Sequence, residues 1–206
     1  MKRSMLKLLG LAVVAAWLLA GCASTYVLDN NVQAFSSLTS LPAQPSYKFE
    51  RLPSQQAPGQ LQLEAMADPA LHKAGLRRDD ANPHYSVQVS GGVVPILSPW
   101  ADPWRGWGWG GGWGVGFHHR GFGMGLGGPW GMEPPWYHRE VSVIVRELPS
   151  NRVAFESHAS SDGPWRDNTE VLPAMFEAAM HGFPNPPPGV RRVDVQIVPP
   201  AAQAKS

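Results

Sequence analysis

Cys22 is the residue whose surroundings most clearly predict a chemical modification. It closes the run Leu19-Ala20-Gly21-Cys22, which follows Lys2, Arg3, Lys7 and an uncharged apolar stretch. A basic segment, a short apolar segment and small residues at a cleavage point are typical of a secretory signal. With cysteine as the residue after the cleavage point, this pattern predicts a lipoprotein signal peptide over 1–21 and lipidation of Cys22, with palmitate among its two or three acyl chains.

Two other interpretations of this segment are an uncleaved anchor and an ordinary secretion signal. The apolar run from Leu8 to Cys22 is shorter than the roughly 20 residues that span a bilayer. No A-x-A-like site is better placed than the cysteine. We therefore expect attachment to a membrane through acyl chains, which is durable when more than one chain is present. Ala23 after the cysteine resembles an outer-membrane sorting signal, so we expect the outer membrane with the chain facing the periplasm.

Tryptophans are the second group of residues that could take part in a specific interaction. Most of them lie between Ser98 and Tyr137 among glycines. Glycine raises the entropy cost of ordering a backbone, so this composition predicts a mobile, low-complexity insert. Indole rings favour membrane interfaces and also stack on sugars. The candidate contact residues are Trp104, Trp107, Trp109, Trp113, Trp130 and Trp136. The alternative is that the insert packs on its own domain or stays disordered.

Three histidines, His118, His119 and His138, are weak candidates for binding Zn²⁺ or Cu²⁺. Adjacent histidines on a strand point apart, and no Asp or Cys completes a set at close spacing. A solvated loop is the alternative, and we expect neither a metal nor another cofactor.

The four remaining histidines are scattered and are expected at the surface. No nucleophile, base and oxyanion donor occur in a recognisable catalytic motif. The sequence therefore predicts a protein that is not an enzyme.

The charge and the cysteine content exclude further classes. The signal contains three of the 17 basic residues, so the mature chain of 185 residues has 14 basic and 16 acidic residues and a net charge of −2. No basic surface is left to attract nucleic acid. A single cysteine allows no intramolecular disulfide.

The elements that position these residues follow from hydrophobic periodicity. Alternating residues predict strands over Thr25–Val32, Ser46–Leu52, Tyr85–Ser90, Val141–Val145, Val153–Phe155 and Val193–Ile197. Apolar residues spaced by three and four predict two helices. The first covers Gln60–Ala74 as two abutting pieces, because Asp68 is a good cap and Pro69 a good first residue. The second begins after a cap at Asn168 or Thr169 and ends at Gly182.

This order predicts an α+β fold. We expect a two-layer sandwich of an antiparallel sheet with two helices packed on one face. The domain has two parts, 22–97 and 138–198, separated by the Gly/Trp-rich insert over 98–137 and followed by a polar tail over 199–206.

Several short motifs, in order, resemble the family of bacterial envelope lipoproteins known as domain of unknown function 4136. The resemblance extends from Tyr26 to Pro184 and is interrupted by the insert. The motifs that support it are the lipidation signal, Tyr47-Lys48-Phe49, Gly75-Leu76, Pro83-His84-Tyr85-Ser86-Val87, the hairpin from Val141 to Ala159, and Phe183-Pro184. The resemblance implies an envelope lipoprotein with an α+β domain, and it implies no catalytic residues.

The sequence thus leads to two functional hypotheses. The first is a non-enzymatic, lipid-anchored envelope protein that contacts the membrane or another envelope protein through its insert. The second is a peptidoglycan or polysaccharide binder that uses Trp104, Trp107, Trp109 and Trp113 as stacking platforms.

Overall fold

The structure, a computed structural model, describes residues 26–99, 135–164 and 166–197. It divides into two compact units, and the larger one, Leu28–Val195, contains the fold. The strands are β1 (Tyr26–Ser36), β2 (Ser46–Phe49), β3 (Arg77–Arg78), β4 (Tyr85–Ile96), β5 (Trp136–Glu147), β6 (Arg152–Pro164) and β7 (Val190–Ile197), and the helices are α1 (Pro58–Lys73) and α2 (Asn168–Ala179).

The strands form one seven-stranded sheet in the order β3-β2-β4-β5-β6-β1-β7. The pairs β4–β5, β5–β6 and β6–β1 are antiparallel. By contrast, β2 is parallel to both β3 and β4. The α+β class is confirmed, and the prediction of a purely antiparallel sheet is wrong. The reason is the crossover: α1 carries the chain back between β2 and β4, which leaves the two strands running in the same direction.

Alternate side chains in the middle of the central strands belong to the core. Val87 and Val89 of β4 and Val141, Val143 and Val145 of β5 are at most 1 % exposed. Helix α1 contacts β4, α2 contacts β5 and β6, and the two helices contact each other. The sheet therefore has a buried face, which holds these valines, and an exposed face made by the alternate residues.

Helix α1 is continuous, so the predicted interruption at Pro69 is wrong. A proline inside a helix removes one N–H donor and strains the preceding turn. Here Ala67, Ala70 and Leu71 are buried on either side of the proline, and Asp68 accepts a hydrogen bond from the Tyr47 hydroxyl. These tertiary contacts hold the helix together across the proline.

Helix α2 begins one residue earlier than the predicted caps allow. Asp167 is the N-cap, and its Oδ1 accepts a hydrogen bond from the backbone N–H of Thr169 at 2.9 Å. That hydrogen bond lowers the pKa of Asp167. Pro173 lies inside the helix, and the predicted terminator Gly182 adopts a φ of +83°.

The strands that flank the insert are longer than their periodicity predicts. Strands β4 and β5 stay paired from Tyr85 with Glu147 to Ile96 with Trp136. Gly91, Gly92 and Pro95 interrupt the alternation in β4, so the sequence shows no strand period after Ser90. Among the described residues, no helix combines the length and the apolar character needed to cross a bilayer.

Candidate functional site

The candidate site is one end of the sheet, formed by Val94–Ile96 of β4, Trp136–His138 of β5 and Asp162–Pro164 of β6. We call it the insert end. Ile96 pairs with Trp136, and Trp136 pairs with Pro164 on its other side. The chain segment between the two paired residues therefore starts and finishes on neighbouring strands of a continuous ladder.

The exposed face of the insert end is apolar at its tip. Val94 is 56 % exposed, Ile96 is 38 % exposed, and Leu97, directly after β4, is 87 % exposed. Because facing residues in an antiparallel pair have Cβ atoms about 5 Å apart, Ile96 and Trp136 lie side by side on this face. Side chains of this kind are normally covered when they cluster.

Trp136 is the one candidate tryptophan within the described residues. Its ring is half-buried, and its Nε1 is inaccessible to solvent without a hydrogen-bond acceptor among those residues. An indole normally finds an acceptor when its N–H is buried. Trp136 therefore takes part in packing at the end of β5, as well as marking where the insert ends.

Polar groups lie immediately behind the apolar tip. His138 Nδ1 is 2.6 Å from Asp162 Oδ1 on the neighbouring strand. On the buried face, Arg139 is 1 % exposed and donates from Nη2 to the carbonyl of Pro164 at 3.1 Å. Its guanidinium also lies 5.5 Å from the centre of the Tyr137 ring. These contacts connect β5 to β6 and fix the direction in which both strand ends point.

The structure brings only part of the predicted set together. His138 is paired with Asp162, and within the described residues no three His, Cys, Asp and Glu side chains form a group that could hold a metal ion. The remaining candidates lie outside the described residues. They are Cys22, Trp104, Trp107, Trp109, Trp113, Trp130, His118 and His119.

A polar pocket of about 960 Å³ at the opposite end of the sheet contains residues that no sequence motif marks as functional. Ser46 Oγ lies 2.6 Å from His84 Nδ1, and Arg77, Asp79 and Asn82 also line the pocket. A serine beside a histidine is the first requirement for nucleophilic catalysis. No sequence signal pointed to this pair, because its members are 38 residues apart and share no motif.

The hydrogen bonds of Ser46 describe a structural role for this pair. Ser46 is 8 % exposed, and its hydroxyl lies 2.8 Å from the carbonyl of Asn82, to which it can donate. It also accepts from the backbone N–H of His84 at 3.1 Å. Among the described residues, no carboxylate contacts His84 to orient its ring. The pair joins β2 to the residues that lead into β4.

No family model and no curated protein matches this chain. Two solved PelC dodecamers from Paraburkholderia phytofirmans are similar to it, one of them a variant. The variant has a TM-score of 0.42 and 12% identity and covers 73% of this chain and 94% of its own. The other has a TM-score of 0.44 and 11% identity, covering 77% and 99%. A PDZ domain protein from Parabacteroides distasonis has a TM-score of 0.45 and 12% identity, covering 88% and 42%. With TM-scores below 0.5, these similarities assign neither a family nor a function.

Proposed function

We propose that this protein is a lipid-anchored lipoprotein of the cell envelope with a non-enzymatic, structural or interaction role. Its anchor is Cys22, which follows the lipidation signal and is the sole cysteine of the chain. Acyl chains on this residue hold the mature protein, 22–206, at a membrane. The alanine after the cysteine favours the outer membrane, with the folded domain in the periplasm. Membership of the domain of unknown function 4136 family is part of the same proposal.

The pairing of Ile96 with Trp136 is the observation that supports the contact role most strongly. It means that the Gly/Trp-rich insert leaves from, and returns to, neighbouring positions at the end of a hydrogen-bonded ladder. The insert is therefore presented at a fixed place on the domain. The exposed apolar tip formed by Val94, Ile96 and Leu97 lies at that same place and extends the contact surface into the folded part of the chain.

We also propose that the two helices cover one face of the sheet in a two-layer sandwich. The contacts of α1 with β4 and of α2 with β5 and β6 support this arrangement, as does the hydrogen bond from Ser157 Oγ on the buried face of β6 to the carbonyl of Ala179. The exposed face then carries polar residues such as His138, Glu140 and Asp162.

A non-enzymatic role is favoured over catalysis for a specific reason. The Ser46 hydroxyl is surrounded by structural partners, and His84 is turned toward it through Nδ1. A catalytic serine instead needs a free hydroxyl, an oriented base and nearby oxyanion donors. We therefore assign Ser46 and His84 to the support of β2 and β4.

The alternative function is binding of peptidoglycan or another polysaccharide through Trp104, Trp107, Trp109 and Trp113. The sequence favours this alternative because glycines between the indoles leave space for sugar rings to stack. Both functions use the insert, and they differ in the chemistry of the partner.

Cell fractionation tests the anchor. The wild-type protein is expected in the membrane fraction, and Cys22→Ala is expected to lose acylation and leave the outer membrane. A Ser150→Ala variant serves as the control, because Ser150 is exposed in the turn between β5 and β6. If Cys22→Ala fractionates with the outer membrane as the wild type does, the proposed anchor is wrong.

Tryptophan emission distinguishes the two contact functions, since seven of the nine tryptophans lie in the insert. Contact with lipid or an apolar protein surface is expected to shift the emission of the mature protein to the blue on addition of vesicles, with no response to soluble cell-wall fragments. Quenching by those fragments alone supports the glycan alternative. Replacement of Trp104, Trp107, Trp109 and Trp113 by Ala is expected to abolish either response, whereas Trp136→Phe retains it.

A further inference from the structure

The direction of β1 determines which end of the sheet is nearer to Cys22 along the chain. Strand β1 is antiparallel to β6, with Asn31 opposite Ser160 and Ser36 opposite Phe155. Moving toward the start of β1 therefore means moving toward Pro164 at the end of β6. Leu28, the first residue of the larger unit, lies on the side of the insert end and away from the polar pocket.

The length of the connecting chain limits where the anchor can be. Cys22 precedes Leu28 by six residues, so even a fully extended chain covers about 20 Å between them. The sheet itself is longer, because the 11 residue steps of β5 from Trp136 to Glu147 cover about 35 Å. A lipid attached to Cys22 therefore cannot be farther than about 20 Å from Leu28, which lies at the insert end of β1, plus the length of the lipid itself.

The sequence and exposure of the β4 end suit an interface with lipid. No charged residue occurs from Tyr85 to Pro99. Among the described residues β2 pairs with β4 only as far as Val87, and unpaired sheet edges are commonly protected by charged side chains. The exposed large hydrophobic residues at its tip, Val94, Ile96 and Leu97, are aliphatic. A tether alone permits tilting, whereas a second apolar contact beside it fixes an orientation.

We infer that the insert end rests on the bilayer that holds the Cys22 acyl chains, with Val94, Ile96 and Leu97 at the lipid interface and the pocket of Ser46 and His84 facing away from it. This inference rests on the proposed function, since it requires the lipid anchor. It adds a defined partner, the lipid surface, and a defined orientation of the domain.

Site-directed fluorescence on the full-length mature lipoprotein tests the orientation. Acylation consumes the sulfur of Cys22, so a cysteine introduced at another position is the single reactive thiol. Leu97→Cys places a label at the insert end, and Ser150→Cys places one in an exposed turn at the other end. Each labelled protein is reconstituted in vesicles of phosphatidylethanolamine and phosphatidylglycerol, with or without doxyl-labelled lipid.

The label at residue 97 is expected to lose about half of its emission to doxyl lipid and to be shielded from aqueous iodide. The label at residue 150 is expected to show the reverse. A residue 97 label that iodide quenches freely on vesicle-bound protein overturns the orientation and leaves the anchor intact. In another outcome, the label at residue 97 is shielded from iodide only at high protein concentration and is not quenched by doxyl lipid. This result overturns the proposed orientation and indicates that a second copy of the chain covers this surface.

The same preparations distinguish a failure of the proposed function. If Cys22 is not acylated, the Leu97→Cys protein takes up two labels per chain instead of one and does not float with vesicles. That result removes the anchor and the inference together. Flotation with one label per chain, but without quenching by doxyl lipid, overturns the inference alone.

Discussion

Ile96 and Trp136 face each other in the last pair of the ladder between β4 and β5, and Pro164 continues the same row on β6. This row is the last one of the sheet among the described residues. The Gly/Trp-rich segment is joined to the domain at this row.

Removing the Trp136 ring tests its packing role. Trp136→Ala is expected to lower the free energy of unfolding by about 2 kcal/mol, because the half-buried ring packs beside Ile96. Trp136→Phe is expected to cost less than about 1 kcal/mol, since it also removes an N–H without an acceptor among the described residues. Denaturant unfolding measures both values. If the two variants lose the same free energy of unfolding, the indole N–H contributes as much as the whole ring. That result would show that the N–H is hydrogen-bonded.

The pair of Arg51 and Glu64 connects the chain after β2 to helix α1. Glu64 is 2 % exposed, and the guanidinium donates to its two carboxylate oxygens at 2.5 Å and 2.6 Å. Arg51→Ala leaves this carboxylate buried without its cation, and we expect the Tm to fall by about 5 °C. The double variant Arg51→Ala, Glu64→Leu is expected to recover most of that loss. Thermal unfolding that shows no such recovery contradicts the assigned role of the pair.

The cap of α2 predicts a dependence of stability on pH. The pKa of Asp167 is lowered in the folded state, chiefly by the hydrogen bond from the Thr169 backbone N–H. Its contribution is therefore present above the unfolded pKa of about 3.9 and is lost as the pH falls through the lower folded value.

We accordingly expect Asp167→Ala to lower the Tm by about 3 °C at pH 7, and the difference from wild type to shrink below about pH 4. Asp167→Asn is the matched control, because it retains a capping oxygen without the ionisation. A Tm difference between Asp167→Ala and wild type that is the same at pH 7 and pH 3 would rule out the charged cap.

Alanine substitutions at two glycines with nearly the same φ separate backbone strain from steric crowding. Gly182 has a φ of +83° and Gly189 a φ of +84°, but a Cβ on Gly182 would lie 3.3 Å from Pro186 Cα, whereas one on Gly189 meets nothing within 4 Å. Gly189→Ala is expected to cost about 1 kcal/mol from backbone strain alone. Gly182→Ala is expected to cost more, about 2 kcal/mol. Chemical denaturation of the two variants should preserve this order, and a reversed order would contradict it.

Local periodicity was sufficient to predict the elements that have a clean pattern. The valines at 141, 143 and 145 alternate because one face of β5 is in the core, and the apolar stripe of α2 is equally regular. Gly182 was predicted to end α2, and it follows the helix at a positive φ. These features depend on residues close together in the chain.

Features that depend on distant residues were not predictable in the same way. The parallel pairing of β2 with β4 is set by the crossover through α1, and the continuity of α1 across Pro69 depends on Tyr47, 22 residues earlier. Ser46 and His84 meet only after both strands are placed. At the insert end, the sequence indicated Trp136 but not its partner Ile96, because Gly91, Gly92 and Pro95 hide the strand period there.

The intact mass of the protein extracted from cell membranes shows whether Cys22 is a lipid anchor. We expect a mature chain that begins at Cys22 and carries the additional mass of acyl chains, and we expect Cys22→Ala to carry none. A chain that retains residues 1–21, or one cleaved elsewhere with an unmodified Cys22, would contradict the lipid anchor and with it the proposed orientation at the membrane.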